Sequence, residues 1–444
     1  MTELDSFVNK IKSFSPSKSL DIESARQIVK EMNEFLFTTH KDIGTIYTLG
    51  RNYNYFSEFH KYWDKNYKEI LNVKIDDTQC EKVANVLHDL YLKTKGKAFE
   101  DIYDTYGLNE EEICKVRFLT ANQDFRGSRS FKDLAQIYLD DPSIFDLNSI
   151  YNEPEQFIKN IGTTQLSQND KRVSYAKNIA HFILERGLKS PFELFNYYKK
   201  DLNDIKADIL KCQGAGYGNK KTDMFLRDMV VLNVWKNPIG FDSINVASDV
   251  NTIKVALRTG ILQTDIPLVS SFLDFFGIQY SYIDDMSALA WRNVWIKWKN
   301  KYPQEVISSP CLLDYLIYNV IGKTMCKENL IQFECDKYSH KFLWHSSRNK
   351  TCQICYKKGE KNTAHVVKRM LPCDSIDAID YIKMTEFYKS NICSPNINNC
   401  PFSNICNKYG KKNLQPPKSI SIEGATGWSS AYTDKDSGGG GLMS

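Results

Sequence analysis

No apolar run in the 444 residues approaches the roughly 20 that a membrane-crossing helix needs. The first residues, MTELDSFVNKIKSF, lack the basic, apolar and small-residue order of a secretory signal, so a cytoplasmic protein is expected. Neither sign of charge dominates: the formal net charge is +4, too small to imply nucleic acid by itself. Strand-type alternation is sparse and no regular internal repeat is present. Cysteine is scarce through most of the chain, with only Cys80, Cys114 and Cys212 before Cys311. Nine of the twelve cysteines fall between Cys311 and Cys406. In a reducing compartment such a cluster argues for metal rather than disulfides.

What is present is helical patterning. The segments DKRVSYAKNIAHFILERG and SALAWRNVWIKWKNKY carry apolar residues at three- and four-residue spacing. The length suits two or three domains. Residues 1–85 read as a helical N-terminal extension with tyrosine-rich connections, and 86–310 as a second helical region. Residues 311–410 form a Cys-rich region, where Lys341 to Arg369 holds eight Lys or Arg against one acid, Glu360. Residues 411–444, with little apolar content and a glycine run, read as a flexible tail.

The most informative stretch is GAGYGNKKTDMFLRD, residues 214–228, in which Gly214, Gly216 and Gly218 run into Lys220 and Lys221. It fails the GxxxxGK[ST] test, since the second glycine would fall at Asn219, and it lacks the strand a nucleotide loop needs. The preceding LNDIKADILKC has helical alternation instead. The reading is therefore helix, glycine hairpin, helix, in which Phe225, Leu226 and Met229 supply the second helix's buried face. Such a turn leaves backbone N–H groups at a helix N-terminus free to hold a phosphate, and glycine permits the close approach. Taken alone, Lys220 or Lys221 reads as a phosphate-contacting or solvated charge, and an isolated Asp249 as a helix cap.

GYGNKKTDMFLRD resembles the hairpin of the helix-hairpin-helix DNA glycosylase superfamily, closest to its 8-oxoguanine glycosylase/lyase and endonuclease III-like branches. There a G-h-G-x-K element runs into a helix bearing F-L-R. VASDVNTIKVALRTG resembles the family's V-D-x-H-x-x-R-V segment, with Asp249 on the aspartate position, Lys254 on the basic one and Val255 on the apolar one. Asn251 stands where many members carry histidine. The upstream RVSYAKNIAHFI is similar to the element before the hairpin. The resemblance is specific over about residues 165–265 and weaker over 86–310.

It implies a mostly α, two-lobed helix-hairpin-helix glycosylase fold, with the N-terminal extension and Cys-rich metal-binding region added to it. It also implies a DNA glycosylase, with possible AP lyase activity, that flips and excises a damaged or modified base. Lys220 would be the nucleophile and Asp249 its electrostatic or proton-transfer partner, with Gly214, Gly216, Gly218 and Lys221 on the DNA backbone. A free lysine, with pKa about 10.4, must lose its proton to attack, and burial is one way to favour this. A non-catalytic DNA-binding hairpin is the alternative from another class.

Two metal constellations follow. CSPNINNCPFSNIC spaces Cys393, Cys400 and Cys406 as in the outer steps of the superfamily's C-x6-C-x2-C-x5-C iron-sulfur loop, without its x2 step. With Cys373 as fourth ligand it would hold a [4Fe–4S] cluster, and a zinc site is the other reading. Upstream, Cys335, His340, Cys352 and Cys355 suit tetrahedral zinc, with His340 preferred to His345. The CQIC segment also resembles HNH nucleases, but Ala364 stands where Asp or Glu would precede His365.

Overall fold

The computed structural model of the chain describes residues 2–13, 35, 39, 41–48, 51–100, 104–124, 128–164, 169–265, 280–325, 331–335, 341–343, 367–372 and 400–409. Among these the mostly helical expectation holds, and strands are few and short. The chain starts with α1 (Glu3–Ser13), a hairpin of β1 (Lys41–Thr48) and β2 (Arg51–Ser57), α2 (Phe59–Leu71), β3 (Lys74–Ile75) and α3 (Asp77–Thr94). It continues through α4 (Glu110–Ala121), α5 (Phe131–Asp140), α6 (Leu147–Asn152), α7 (Pro154–Asn160) and α8 (Asn169–Leu184). The short α9 (Leu194–Tyr197), α10 (Leu202–Lys211) and α11 (Asn219–Val231) follow. Then come α12 (Val250–Thr259), β4 (Leu262–Gln263), the long α13 (Tyr280–Lys301) and α14 (Tyr315–Met325), whose hydrogen bonds are of π type. Strands β5 (Ile331–Cys335), β6 (Lys341–Leu343) and β7 (Val367–Pro372) form an antiparallel sheet in the order β6-β5-β7, and α15 (Ser403–Tyr409) is the last described element.

Local chemistry sets the helix ends. Asp76 caps α3 through the Gln79 amide, and the helix stops where Lys95 and Gly96 turn left-handed. Asn109 and Glu112 form a reciprocal capping box at α4. The tryptophans of WRNVWIKW fall on one face of α13, and Trp291, Trp295 and Trp298 are all buried as α13 packs along α3. Each large side chain buried this way contributes about 1.5–3 kcal/mol.

The buried side chains form two separate cores. The first joins α1–α3 to α12–α15, bringing Phe59, Trp63 and Leu87 against Trp291, Leu316 and Phe402. The second is built from the intervening residues, including Phe118, Phe145, Phe182, Phe225 and Trp235. The domain boundary expected at residues 85/86 therefore falls inside α3, which runs unbroken from Asp77 to Thr94. Residues on both sides of it, Val83 and Leu87, are buried in the same core. The break between cores lies instead between Phe99 and Leu108, and the chain returns to the first core at Val246. The boundary expected at 310/311 likewise falls in a helical turn, Pro310–Leu312. Composition does not register this arrangement, because both cores draw on the same apolar residue types.

Polar contacts tie the cores together. The Arg227 guanidinium on α11 pairs with Asp314, just before α14, and with Asp228 at 2.8 Å. Asn219 Nδ2 donates to Asp285 Oδ1 at 3.1 Å, and Arg292 Nε donates to Asn245 Oδ1 at 2.6 Å.

Candidate active site

The expected helix, glycine turn and helix are formed by α10, residues 212–218 and α11. Odd and even positions of the turn divide the work. Ala215 and Tyr217 point into the second core, where the Tyr217 hydroxyl donates to the Phe118 carbonyl at 2.6 Å. Gly214 and Gly216 are left-handed, with φ of +71° and +74°. A Cβ on Gly216 would lie 2.5 Å from the Tyr175 ring, and one on Gly214 would lie 2.6 Å from Asn178 Nδ2. That amide donates to the Gly214 carbonyl at 3.0 Å, so Asn178 holds the turn in place. Gly218 differs: its backbone is extended and a Cβ there would meet nothing within 4 Å among the described residues. It is the cap residue of α11 and itself offers no side chain to that end.

The two lysines diverge immediately after it. Lys220 is exposed and lines a cavity of about 210 Å³ with Lys206, Asp223, Ser248, Asp284 and Asp285. Lys221, expected on the DNA backbone, turns inward: its ammonium donates to the Asn122 carbonyl at 2.9 Å. Burial pushes this amine down to about 8, with Lys220 and Arg172 adding to the effect and Asp124 opposing it.

Asp249 caps α12. Its Oδ1 accepts from the amides of Asn251 at 2.8 Å and Thr252 at 3.1 Å, and Thr252 returns a hydrogen bond to the Asp249 amide. The cap reading is thus met in full, and among the described residues Oδ2 is reached by the Asn251 side chain at 3.4 Å. Asn251, at the position of the family's histidine, lies against Gly322 on α14, where a Cβ would stand 2.8 Å from its own. Lys254 Nζ reaches Asn251 Oδ1 at 3.3 Å.

Lys220 and Asp249 are brought into one electrostatic neighbourhood. Asp284 is pushed up to about 8 by burial, with Lys220 and the Ser248 hydroxyl opposing and Asp249 and Asp285 adding. Asp314 is raised to about 6, again chiefly by burial; Arg227 and Lys220 oppose and Asp249 adds. Asp223, raised to about 6 by burial, is held at 2.5 Å by Lys206.

Sequence reasoning missed Asp284, although a signal was present. Asp284, Ser287 and Trp291 occupy the i, i+3 and i+7 positions of one face of α13, and Ser287 and Trp291 are wholly buried. An acid on such a stripe is expensive and marks a site rather than a solvated face.

Of the proposed metal ligands, Cys400 and Cys406 are buried in the first core, on and just before α15, which packs against α12. Cys335 is placed by its backbone at the end of β5. His340, Cys352, Cys355, Cys373 and Cys393 lie outside the described residues, as does His365. Among the described residues no three potential ligands come together.

Comparison with known proteins gives no matching family and no matching characterised relative. No helix among the described residues is long and apolar enough to cross a membrane.

Proposed function

We propose that the chain is a DNA glycosylase of the helix-hairpin-helix type, its two cores corresponding to the two lobes of that fold. The carrying observation is the exposed Lys220 amine at the N-terminus of α11, lining one cavity with Asp284, directly after a glycine turn whose last member faces open space. A duplex phosphate approaching the first amides of α11 would meet no side chain on Gly218 itself. A nucleotide turned out of the stack would bring its sugar toward Lys220.

The chemistry then follows from the groups present. The Lys220 ammonium first gives a proton to water, and the neutral amine then attacks the anomeric carbon, forming a C–N bond as the bond to the base breaks and its electron pair leaves with the base. The Asp249 carboxylate, fixed by the α12 amides, stabilises positive charge on the sugar. The sugar C1′–O4′ bond then opens, its oxygen gaining a proton as the lysine nitrogen loses one, which gives a Schiff base; loss of the C2′ proton to water and departure of the 3′ phosphate break the strand. An iron-sulfur cluster would be held by Cys373, Cys393, Cys400 and Cys406, and a zinc ion by Cys335, His340, Cys352 and Cys355.

Borohydride trapping on duplexes bearing a panel of damaged bases tests the reading. A covalent adduct is expected from the natural chain and from Lys221→Gln, and none from Lys220→Gln. Duplex binding with neither base release nor trapping would reject it in favour of a non-catalytic DNA-binding hairpin.

A further inference from the structure

The carboxyl groups around the cavity are not equivalent. Asp223 is occupied by Lys206 at 2.5 Å, and Asp285 is exposed and accepts from Asn219 at 3.1 Å. Asp249 is committed to the first amides of α12. Of the three that line it, Asp284 alone keeps an oxygen in reserve: Oδ1 is buried and has no hydrogen-bond partner among the described residues, whereas Asp314, whose Oδ1 is in the same state, lies off the cavity lining and is paired with Arg227. Native interiors rarely leave a carboxyl oxygen in this state, and each one calls for a physical reason, a catalytic role or a bound partner among them. The same residue lines the cavity beside Lys220, on the opposite core from the hairpin.

We propose that Asp284 is a catalytic acid whose protonated carboxyl donates to an acceptor atom of the base held in this cavity and passes its proton to that base on departure. The assignment rests on the glycosylase reading and extends it to the leaving group. In the step, the glycosidic bond breaks with its electron pair going to the base, and the Asp284 O–H bond breaks as its proton neutralises the base. The carboxylate afterwards regains a proton from water. The substrate class this implies is a base presenting a hydrogen-bond acceptor on the edge facing α13. The groups facing Asp284 are Lys206 on α10, Lys220 and Asp223 on α11, Asp249 at the start of α12 and Asp285 on its own helix. Burial outweighs the Lys220 charge and the Ser248 hydroxyl, so the acid form persists through neutral pH and is lost as pH passes about 8.

Single-turnover base release from an 8-oxoguanine·cytosine duplex, followed between about pH 6 and about pH 10, tests this. The natural chain should lose activity on the alkaline side, while Asp284→Asn should be slower at neutral pH by about 10²-fold and lack that alkaline fall. Its duplex affinity should stay within about two-fold of the natural chain, since a carboxamide keeps the shape. An Asp284→Asn rate and pH profile equal to the natural chain's would overturn the assignment while leaving Lys220 trapping, and the glycosylase reading, intact. Should no duplex be trapped, the infrared carbonyl band of a protonated carboxyl decides independently. Present at neutral pH and absent in Asp284→Asn, it supports the acid; absent in both, it removes it.

Discussion

Asn122 holds Lys221 and the glycine turn at once. Its backbone carbonyl accepts the Lys221 ammonium at 2.9 Å, while its side-chain amide donates to the carbonyls of Ala215 at 3.0 Å and Tyr175 at 3.1 Å. The end of α4 is thereby fastened to the hairpin and to α8. Asn122→Ala removes the two amide bonds and leaves buried carbonyls unanswered, at a cost of about 1–3 kcal/mol. Thermal denaturation should register this as a clear fall in Tm, and an unchanged Tm would show that the amide braces nothing.

The glycines of the turn separate fold from binding. Gly216→Ala places a methyl against the Tyr175 ring at a left-handed φ of +74°, and strain of this kind costs about 1–3 kcal/mol. Gly218→Ala meets nothing within 4 Å among the described residues, at an extended backbone, so its Tm should match the natural chain's. Its affinity for duplex DNA should nevertheless fall, because the new methyl occupies the approach of the phosphate. A Gly218→Ala variant that binds duplex normally would remove this surface from the DNA interface.

Asp249 can be divided into cap and charge. Asparagine caps helices as well as aspartate does, so Asp249→Asn should keep stability to within about 0.5 kcal/mol, whereas Asp249→Ala should lose about 1 kcal/mol. Both lack the carboxylate, and base release should fall by at least about 10²-fold in each. Full activity in Asp249→Asn would reduce the residue to its capping role.

The buried ion pair between Arg227 and Asp314 joins the second core to the segment entering α14. Asp314→Ala strands the guanidinium, at a cost of about 3–5 kcal/mol when a buried charge loses its partner. Asp228 still holds Arg227 at 2.8 Å, which places the loss at the lower end of that range. Urea denaturation of the variant measures it directly.

Stability should depend on pH through Asp284. Its folded pKa of about 8 lies above the ordinary carboxylate value of 3.8, so between these values the folded chain binds the extra proton. Stability contributed by this group is present below the unfolded pKa and declines as pH rises toward about 8. Asp284→Asn abolishes the decline. Its Tm relative to the natural chain should therefore rise between about pH 5 and about pH 8, by a margin worth a few kcal/mol at most. A difference that stays flat with pH would mean the carboxyl is not raised.

The hairpin was legible because its determinants are consecutive. Alternating glycines, the apolar Ala215 and Tyr217 between them, and the apolar face of α11 can all be read from fifteen neighbouring residues. Asp249 was legible for a similar reason, since a cap is defined by its own helix. Asp284 and Asn122 were not, because each matters through residues far away in the chain: Asp284 through Lys220 and Asp249, Asn122 through Ala215 and Lys221. The boundary expected at 85/86 went astray in the same way, because what unites Val83 and Leu87 with Trp291 is packing across the chain.

By itself the sequence determined that two helices meet at a glycine turn and that Lys220 and Lys221 begin the second. It also set which residues cap and which face inward, since these follow from backbone dihedrals and helical period. Only the tertiary structure decided that Lys221 is drawn to the Asn122 carbonyl while Lys220 opens on the cavity, and that Asp284 stands there with an oxygen unanswered. Adjacent lysines are chemically identical in a sequence. Burial and through-space charge, which separate them, exist only once distant segments have packed.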